Sequence, residues 1–248
     1  MNAPRRIAKR ARPACALLAL LCSVTPPAVQ AQSLPDWSGY WIGEGLTAEI
    51  SGFPGPGASY KLLGQDAPWN DVGRARVAAT RERQADQKAD GWGFPLMMNS
   101  GAPMQFLITP DETLIINVYR DVRHVYTDGR NLPAEEDRWP TTWGDSVGRW
   151  EGDALVIETV SVRNPNRYFF SSPPLSEQAR YVERLRMTRP DRIESVMTIE
   201  DPVTLSEPWV IDLVYTRATG LDRLIHDDYD NDRSEVEGGL FTIVPAQE

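Results

Sequence analysis

The chain has 248 residues, a formal net charge of −9 and only two cysteines. Acidity of this degree opposes nucleic acid and anionic lipid surfaces, so neither is expected as a partner. Both cysteines, Cys15 and Cys22, fall in a removable leader. The remainder is therefore expected to have no disulfide, no cysteine nucleophile and no thiolate metal site.

The leader comes first in chain order. Arg5, Arg6, Lys9, Arg10 and Arg12 make a basic region, Ala14 to Val24 an apolar run too short to span a bilayer, and Val29-Gln30-Ala31 a cleavage site. Residues 1–31 read as a signal peptide and residues 32–248 as one domain, periplasmic or secreted, with no membrane insertion after the signal is removed. Arg5-Arg6 leaves twin-arginine and general export both open, and the bulky Leu21 before Cys22 argues against lipid attachment. Five of the 26 basic residues leave with the leader, so 21 face 35 acidic ones, a charge of −14. All eight Trp and all eight Tyr stay in the exported part, either as core or as pocket lining.

Ser38-Gly39 turns the chain into a strand from Tyr40 to Glu44. This Gly-x-Trp opening, Gly39-Tyr40-Trp41, is similar to that of the lipocalins and the wider calycin barrels, a resemblance that implies a Trp plugging one end. Gly52 to Gly57 is a loop by composition. Asn70 caps a helix predicted over Asp71–Lys88, whose apolar positions Val72, Ala75 and Ala79 are small enough only for shallow packing. From Met104 onward the period becomes two. Strands are predicted at Met104–Thr109, Thr113–Tyr119, Val122–Thr127, Ala179–Thr188, Arg192–Asp201, Trp209–Ala218 and Leu240–Val244. Between them lies a hairpin with arms Ser146–Trp150 and Ala154–Val162, turned by Glu151-Gly152-Asp153. Asn131 to Thr142 and Asn164 to Glu177 are long loops.

Consecutive strands with short links imply an antiparallel meander, and closure removes its sticky edges. The expected fold is thus mainly β: an antiparallel up-and-down, calycin-like barrel with one peripheral helix, a β-sandwich being the alternative. Gly144-Asp145-Ser146-Val147-Gly148-Arg149-Trp150-Glu151-Gly152-Asp153, with Tyr126 to Arg130, Val182 to Arg186, Ile199 to Pro202 and Pro208-Trp209, resembles a family of secreted bacterial β-rich proteins over roughly residues 95 to 215. The resemblance implies a periplasmic β-rich domain and supplies no activity. The chain departs from that pattern at Leu175-Ser176, where relatives carry His-Ser, and at Asp227 to Asp232, where they carry a cysteine.

Several chemical readings are weak. Gly144-Asp145-Ser146 leads into a hairpin and not a helix, and Asp222 to His226 has the wrong spacing for its hydrolase partner pair. His124 and His226 are the only histidines, too few for a convincing zinc site. Asp228-x-Asp230-x-Asp232 has Arg233 and Gly239 where an EF-hand needs Gly and Glu, so it is an irregular calcium site or a solvated loop. No cofactor and no metal are expected.

Glu183 is the most informative acid. Tyr181, Glu183, Leu185 and Met187 share one strand face, whereas Arg180, Arg184 and Arg186 share the other. Glu183 should point inward, and a buried carboxylate must be protonated or paired, here with an arginine such as Arg149. Glu158, between Val156 and Val160, invites the same argument, and Asp212 a weaker one. His124 shares a face with Val122 and Tyr126, as a core histidine or an acid–base group. Three functions follow. The leading one is uptake of a small apolar or aromatic molecule by a lumen lined by Trp41, Tyr126, Trp150, Glu158, Tyr181 and Trp209. The second is a cofactor-free lyase, isomerase or hydratase using Glu183 with His124 or Tyr126. The third is a filled barrel serving an envelope assembly.

Overall fold

A computed structural model describes residues 34–43, 61–62, 65–82, 93–99, 103–119, 121–164, 173–224, 234–237 and 240–243. The predicted leader, the loop at 52–57, the helix beyond Glu82 and the acidic run Asp227 to Asp232 lie outside them. Leu34–Glu248 forms one compact unit. Its strands are β1 (Trp41–Gly43), β2 (Lys61–Leu62), β3 (Gln65–Asp66), β4 (Met104–Ile108), β5 (Glu112–Asn117), β6 (Val122–Tyr126), β7 (Asp145–Glu151), β8 (Ala154–Val160), β9 (Arg180–Arg189), β10 (Arg192–Glu200), β11 (Trp209–Arg217), β12 (Ser234–Glu237) and β13 (Leu240–Ile243). The one α-helix among the described residues is α1 (Asp71–Glu82).

Nine strands close into a barrel in the order β1-β11-β10-β9-β8-β7-β6-β5-β4, with β1 bridging to β4 through Trp41 and Met104. The pairs β2–β3 and β12–β13 form separate two-stranded sheets. The up-and-down expectation needs one correction. If every neighbour in a closed ring ran antiparallel, strand direction would alternate and the count would be even. Nine strands therefore require a parallel seam, and it lies between β6 and β7, registered at Tyr126↔Val147. The connection across it, residues 127–144, is long enough for a parallel crossover, whereas the other consecutive barrel strands from β4 to β11 pair antiparallel.

The hairpin forms as its sequence dictates. Asp145 to Glu151 pairs with Ala154 to Val160, and the two-residue turn has a positive φ of 66° at Gly152, as a type II′ turn requires. Gly144, φ 68°, immediately precedes β7 beside the end of β8, and a Cβ there would stand 2.4 Å from the carbonyl oxygen of Val160.

Helix α1 is held on the link between β10 and β11. Asn70 Oδ1 accepts the Gly73 N–H at 3.0 Å, so the predicted cap forms, and Asn70 Nδ2 donates to the Val203 carbonyl at 3.0 Å. The packing face differs from the expected one: Gly73 and Val77 are buried, while Val72 and Ala75 are exposed. A glycine at 73 is what lets the Thr204 carbonyl come so near, since a Cβ there would lie 2.3 Å from it. Asp201 organises the same corner. Its carboxylate accepts the Ser176 N–H and Oγ–H, each at 2.6 Å, the Val203 N–H at 3.0 Å and the Thr204 hydroxyl at 2.5 Å. Leu175-Ser176 thus has a structural role: Leu175 is fully buried and Ser176 ties its segment to Asp201.

Gly144→Ala is expected to destabilise the barrel by about 1–3 kcal/mol, because the new Cβ meets backbone and the φ is unfavourable; urea unfolding followed by tryptophan fluorescence measures it. Burial acts to raise the pKa of Asp201, but the hydrogen bonds from Ser176, Thr204 and Val203 outweigh it and hold the carboxyl below its ordinary value. The folded state therefore favours the ionised form, and on acidification the unfolded chain takes up the proton first. Stability from Asp201 should be complete at neutral pH and fall as pH drops below about 4. In Asp201→Asn that part of the acid sensitivity should vanish from unfolding curves taken across that range.

Candidate functional site

Alternation places Tyr181, Glu183 and Leu185 of β9 inside, each fully buried. The outer face carries Arg180, Arg184 and Arg186, which pair with Glu158, Glu151 and Asp153. The reading of β9 from its sequence therefore holds residue for residue. Glu183 is also paired, as a buried carboxylate must be. Its partner is Arg123 of β6 rather than Arg149, which pairs with Glu151 on the outer face.

Arg123 Nη2 donates to Glu183 Oε2 at 2.5 Å, and both side chains are 0% exposed. The guanidinium runs along the inner wall to get there. Nε and Nη2 reach the Ser146 hydroxyl of β7 at 3.3 and 3.4 Å, and Nη2 donates to Thr159 Oγ1 of β8 at 2.8 Å. The two hydroxyls bond each other at 2.8 Å. Four adjacent strands, β6 to β9, thus contribute one polar group each. The Phe94 ring lies over the guanidinium, 4.0 Å from its centroid, and stands edge-on to Tyr181 at 4.9 Å. Tyr215 lies close by. Burial first, then the negative charge of Glu183, pushes its pKa well above the ordinary value, and its hydroxyl donates to the Met98 carbonyl at 2.7 Å. Burial likewise raises Tyr181, against a hydrogen bond from Asn164.

The contact between Arg123 and Glu183 is monodentate. Among the described residues, Arg123 Nη1 and Glu183 Oε1 have no hydrogen-bond partner, and neither have the inward hydroxyls of Thr113 and Ser195. An unpaired buried polar atom is costly, and the indole N–H groups of Trp37, Trp69, Trp150 and Trp209 are in the same position.

The other candidate residues divide between the two faces of the wall. Trp41, Tyr181 and Trp209 are buried inside, and Trp150 is half-buried against Trp37 at 5.4 Å. Trp41 Nε1 donates to the Trp37 carbonyl at 2.9 Å, and Trp209 tilts against Trp69 at 6.0 Å. His124 and Tyr126 do share a face, but it is the outer one. His124 Nδ1 meets Glu112 Oε1 at 2.6 Å, and Tyr126 lies under the Arg130 guanidinium at 3.9 Å. Glu158 also points outward. The hydrogen bond from Arg180 Nε at 2.7 Å holds its carboxyl below the ordinary range. Asp212 is exposed. Glu183, His124 and Tyr126 therefore do not converge, and Tyr126 and Glu158 do not line the interior.

The error is one of phase. Val122-Arg123-His124-Val125-Tyr126 has apolar residues in both registers, and Val122 with Tyr126 suggested the inner set, whereas Arg123 and Val125 are inside. In β8, Val156 and Val160 are buried although they share the outer register with Glu158, which disguises the inward set Leu155, Ile157 and Thr159. One signal in the sequence points to Arg123: an inward Glu183 demands an inward base, and β6, whose apolar residues fall in both registers, carries an arginine between them. Among the described residues no three His, Cys, Asp or Glu side chains gather as metal ligands.

The chain matches no protein-family model, and no curated protein is found similar to it.

Glu183→Leu alone leaves a buried guanidinium without its counter-charge and should cost about 3–5 kcal/mol. The double replacement Arg123→Met with Glu183→Leu should recover most of that loss. Chemical unfolding of the two single variants and the double variant gives the coupling directly.

Proposed function

We propose that this is an exported, calycin-like barrel of the periplasm or the secreted fraction that binds a small apolar or aromatic molecule in its interior. The observation that carries the reading is a buried ion pair with one nitrogen and one oxygen still unbonded, set among the rings of Phe94, Tyr181 and Tyr215. A barrel needing only to be filled is served best by apolar side chains, since replacing buried ion pairs with them is often neutral or stabilising. The outer wall supports a protein in water. Arg180 bridges Glu158 and Glu200, and Arg184 and Arg186 pair with Glu151 and Asp153. A lipid-facing barrel presents an apolar band there instead. Removal of residues 1–31 as a signal peptide belongs to the same proposal.

A structural role is the second reading. It is favoured by Trp37, Phe94, Met97 and Met98, which come from outside the barrel strands and are fully buried within the core. An acid–base reaction shared by Glu183 with His124 or Tyr126 has no geometric support, because the wall separates them.

Native mass spectrometry of protein purified from its own periplasm separates the two readings. Binding predicts a chain beginning at Gln32 that carries an added small-molecule mass, lost on denaturation. Recovery of the bare chain alone, at every gentle ionisation setting, favours the structural reading.

A further inference from the structure

We infer that the meander β4–β6, residues 104–126, opens from the barrel as one cooperative unit while the rest of the wall stays folded. The inference concerns the wall and stands whether or not the interior takes a molecule. Where it does, this opening is the way in, because Arg123, Tyr181 and Glu183 are 0% exposed in the closed barrel.

The wall consists of two sheets joined edge to edge. Within the meander, β4 and β5 share five registered pairs, and so do β5 and β6. The larger sheet is laced at least as firmly, with seven pairs between β7 and β8, six between β8 and β9, nine between β9 and β10 and eight between β10 and β11. Among the described residues, each joint between the two sheets is a single pair: Trp41↔Met104 on one side and Tyr126↔Val147 on the other.

Glycines end both joints. A strand bonds a given neighbour at alternate residues, so after Met104 the next β4 residue facing β1 is Phe106. By register it would meet Gly39, but Gly39 has φ 94° and turns the chain aside, where the Ser38 carbonyl accepts from Arg217 Nη1. Across the parallel seam, the residue of β6 before Tyr126 that faces β7 is His124. It would meet the chain at Gly144, whose φ of 68° directs it away and whose N–H donates to Thr141 Oγ1 at 2.9 Å. Beyond Tyr126 the meander itself leaves the seam in the turn at Gly129, φ 84°.

Side chains supply the remaining closure. Met104, Phe106, Ile115 and Val125 are buried on the inner face of the meander, and Arg123 reaches Ser146, Thr159 and Glu183 of the larger sheet. Opening therefore has a real cost, but it leaves every ladder from β7 to β11 intact. The tether permits it: Thr141 is pinned beside Val162, and residues 127–140 before it connect the meander to that point. A unit this short buries no core of its own, so its strands come apart as it leaves. Such a segment opens at a free energy below that of the whole barrel.

The test is amide hydrogen exchange of the purified protein, followed by NMR at several low concentrations of urea. The slowest amides of β4, β5 and β6 should share one opening. They should exchange at least about tenfold faster than those of β9 and β10, with a weaker dependence on urea, because less surface is exposed. Asp201→Asn provides the second measurement. The partners of that carboxylate are Ser176, Val203 and Thr204, none of them in the meander. The variant should speed exchange in β9 and β10 about tenfold and leave β4–β6 unchanged. Amides of all five strands sharing one rate and one urea dependence would overturn the inference, as would equal acceleration of all five in the variant. Should Asp201→Asn fail to fold, the wild-type profile alone decides between one opening unit and two.

Discussion

A salt bridge inside a barrel has to justify its desolvation, and the one between Arg123 and Glu183 is the constraint on which the rest of this structure turns. Two charges with 0% exposure survive because each finds the other and the hydroxyls of Ser146 and Thr159 take further N–H groups of the arginine. The guanidinium leaves β6, passes Ser146 on β7 and Thr159 on β8, and ends on Glu183 of β9. It therefore ties together four consecutive staves of the wall. A slip of β6 by one residue would turn Arg123 into water and leave Glu183 alone in the core, so the pair selects one register.

That selection matters most at the parallel seam. The β6–β7 contact is registered at Tyr126↔Val147, whereas β9 and β10 share nine registered pairs. Backbone pairing alone holds the seam less firmly than the antiparallel joints. Arg123 to Ser146 crosses it on the inside, and Gly148 allows close approach there, since a Cβ would lie 2.8 Å from Val125 Cγ1. The odd strand count that makes a parallel seam unavoidable is thus accommodated where side chains from both strands interlock.

The two faces of the wall use charge differently. Outside, Arg180, Arg184 and Arg186 find acids across neighbouring strands in solvent, where such pairs contribute little to stability. Inside, among the described residues, the pair Arg123–Glu183 stands among rings. The function proposed for the interior grows from this difference.

Much of this architecture was legible in the chain. Strict alternation in β9, β10 and β11, the Glu151–Asp153 turn and the Asn70 cap rest on neighbours close in sequence, so local chemistry was enough to place them. Glu183 facing inward was legible for the same reason: Tyr181 and Leu185 flank it on one face while three arginines mark the other. What the chain alone did not disclose were relations between distant segments. The phase of β6 depends on which of two apolar sets meets β9, 60 residues away. The outward turn of Glu158 depends on Arg180 across the strand boundary. Parallel pairing of β6 with β7 depends on how a long loop returns, and on a strand count that has meaning only once the ring is closed. Period-two patterning fixes which residues share a face, but only the closed barrel, by bringing a buried acid and a buried base together, fixes which face is the inside.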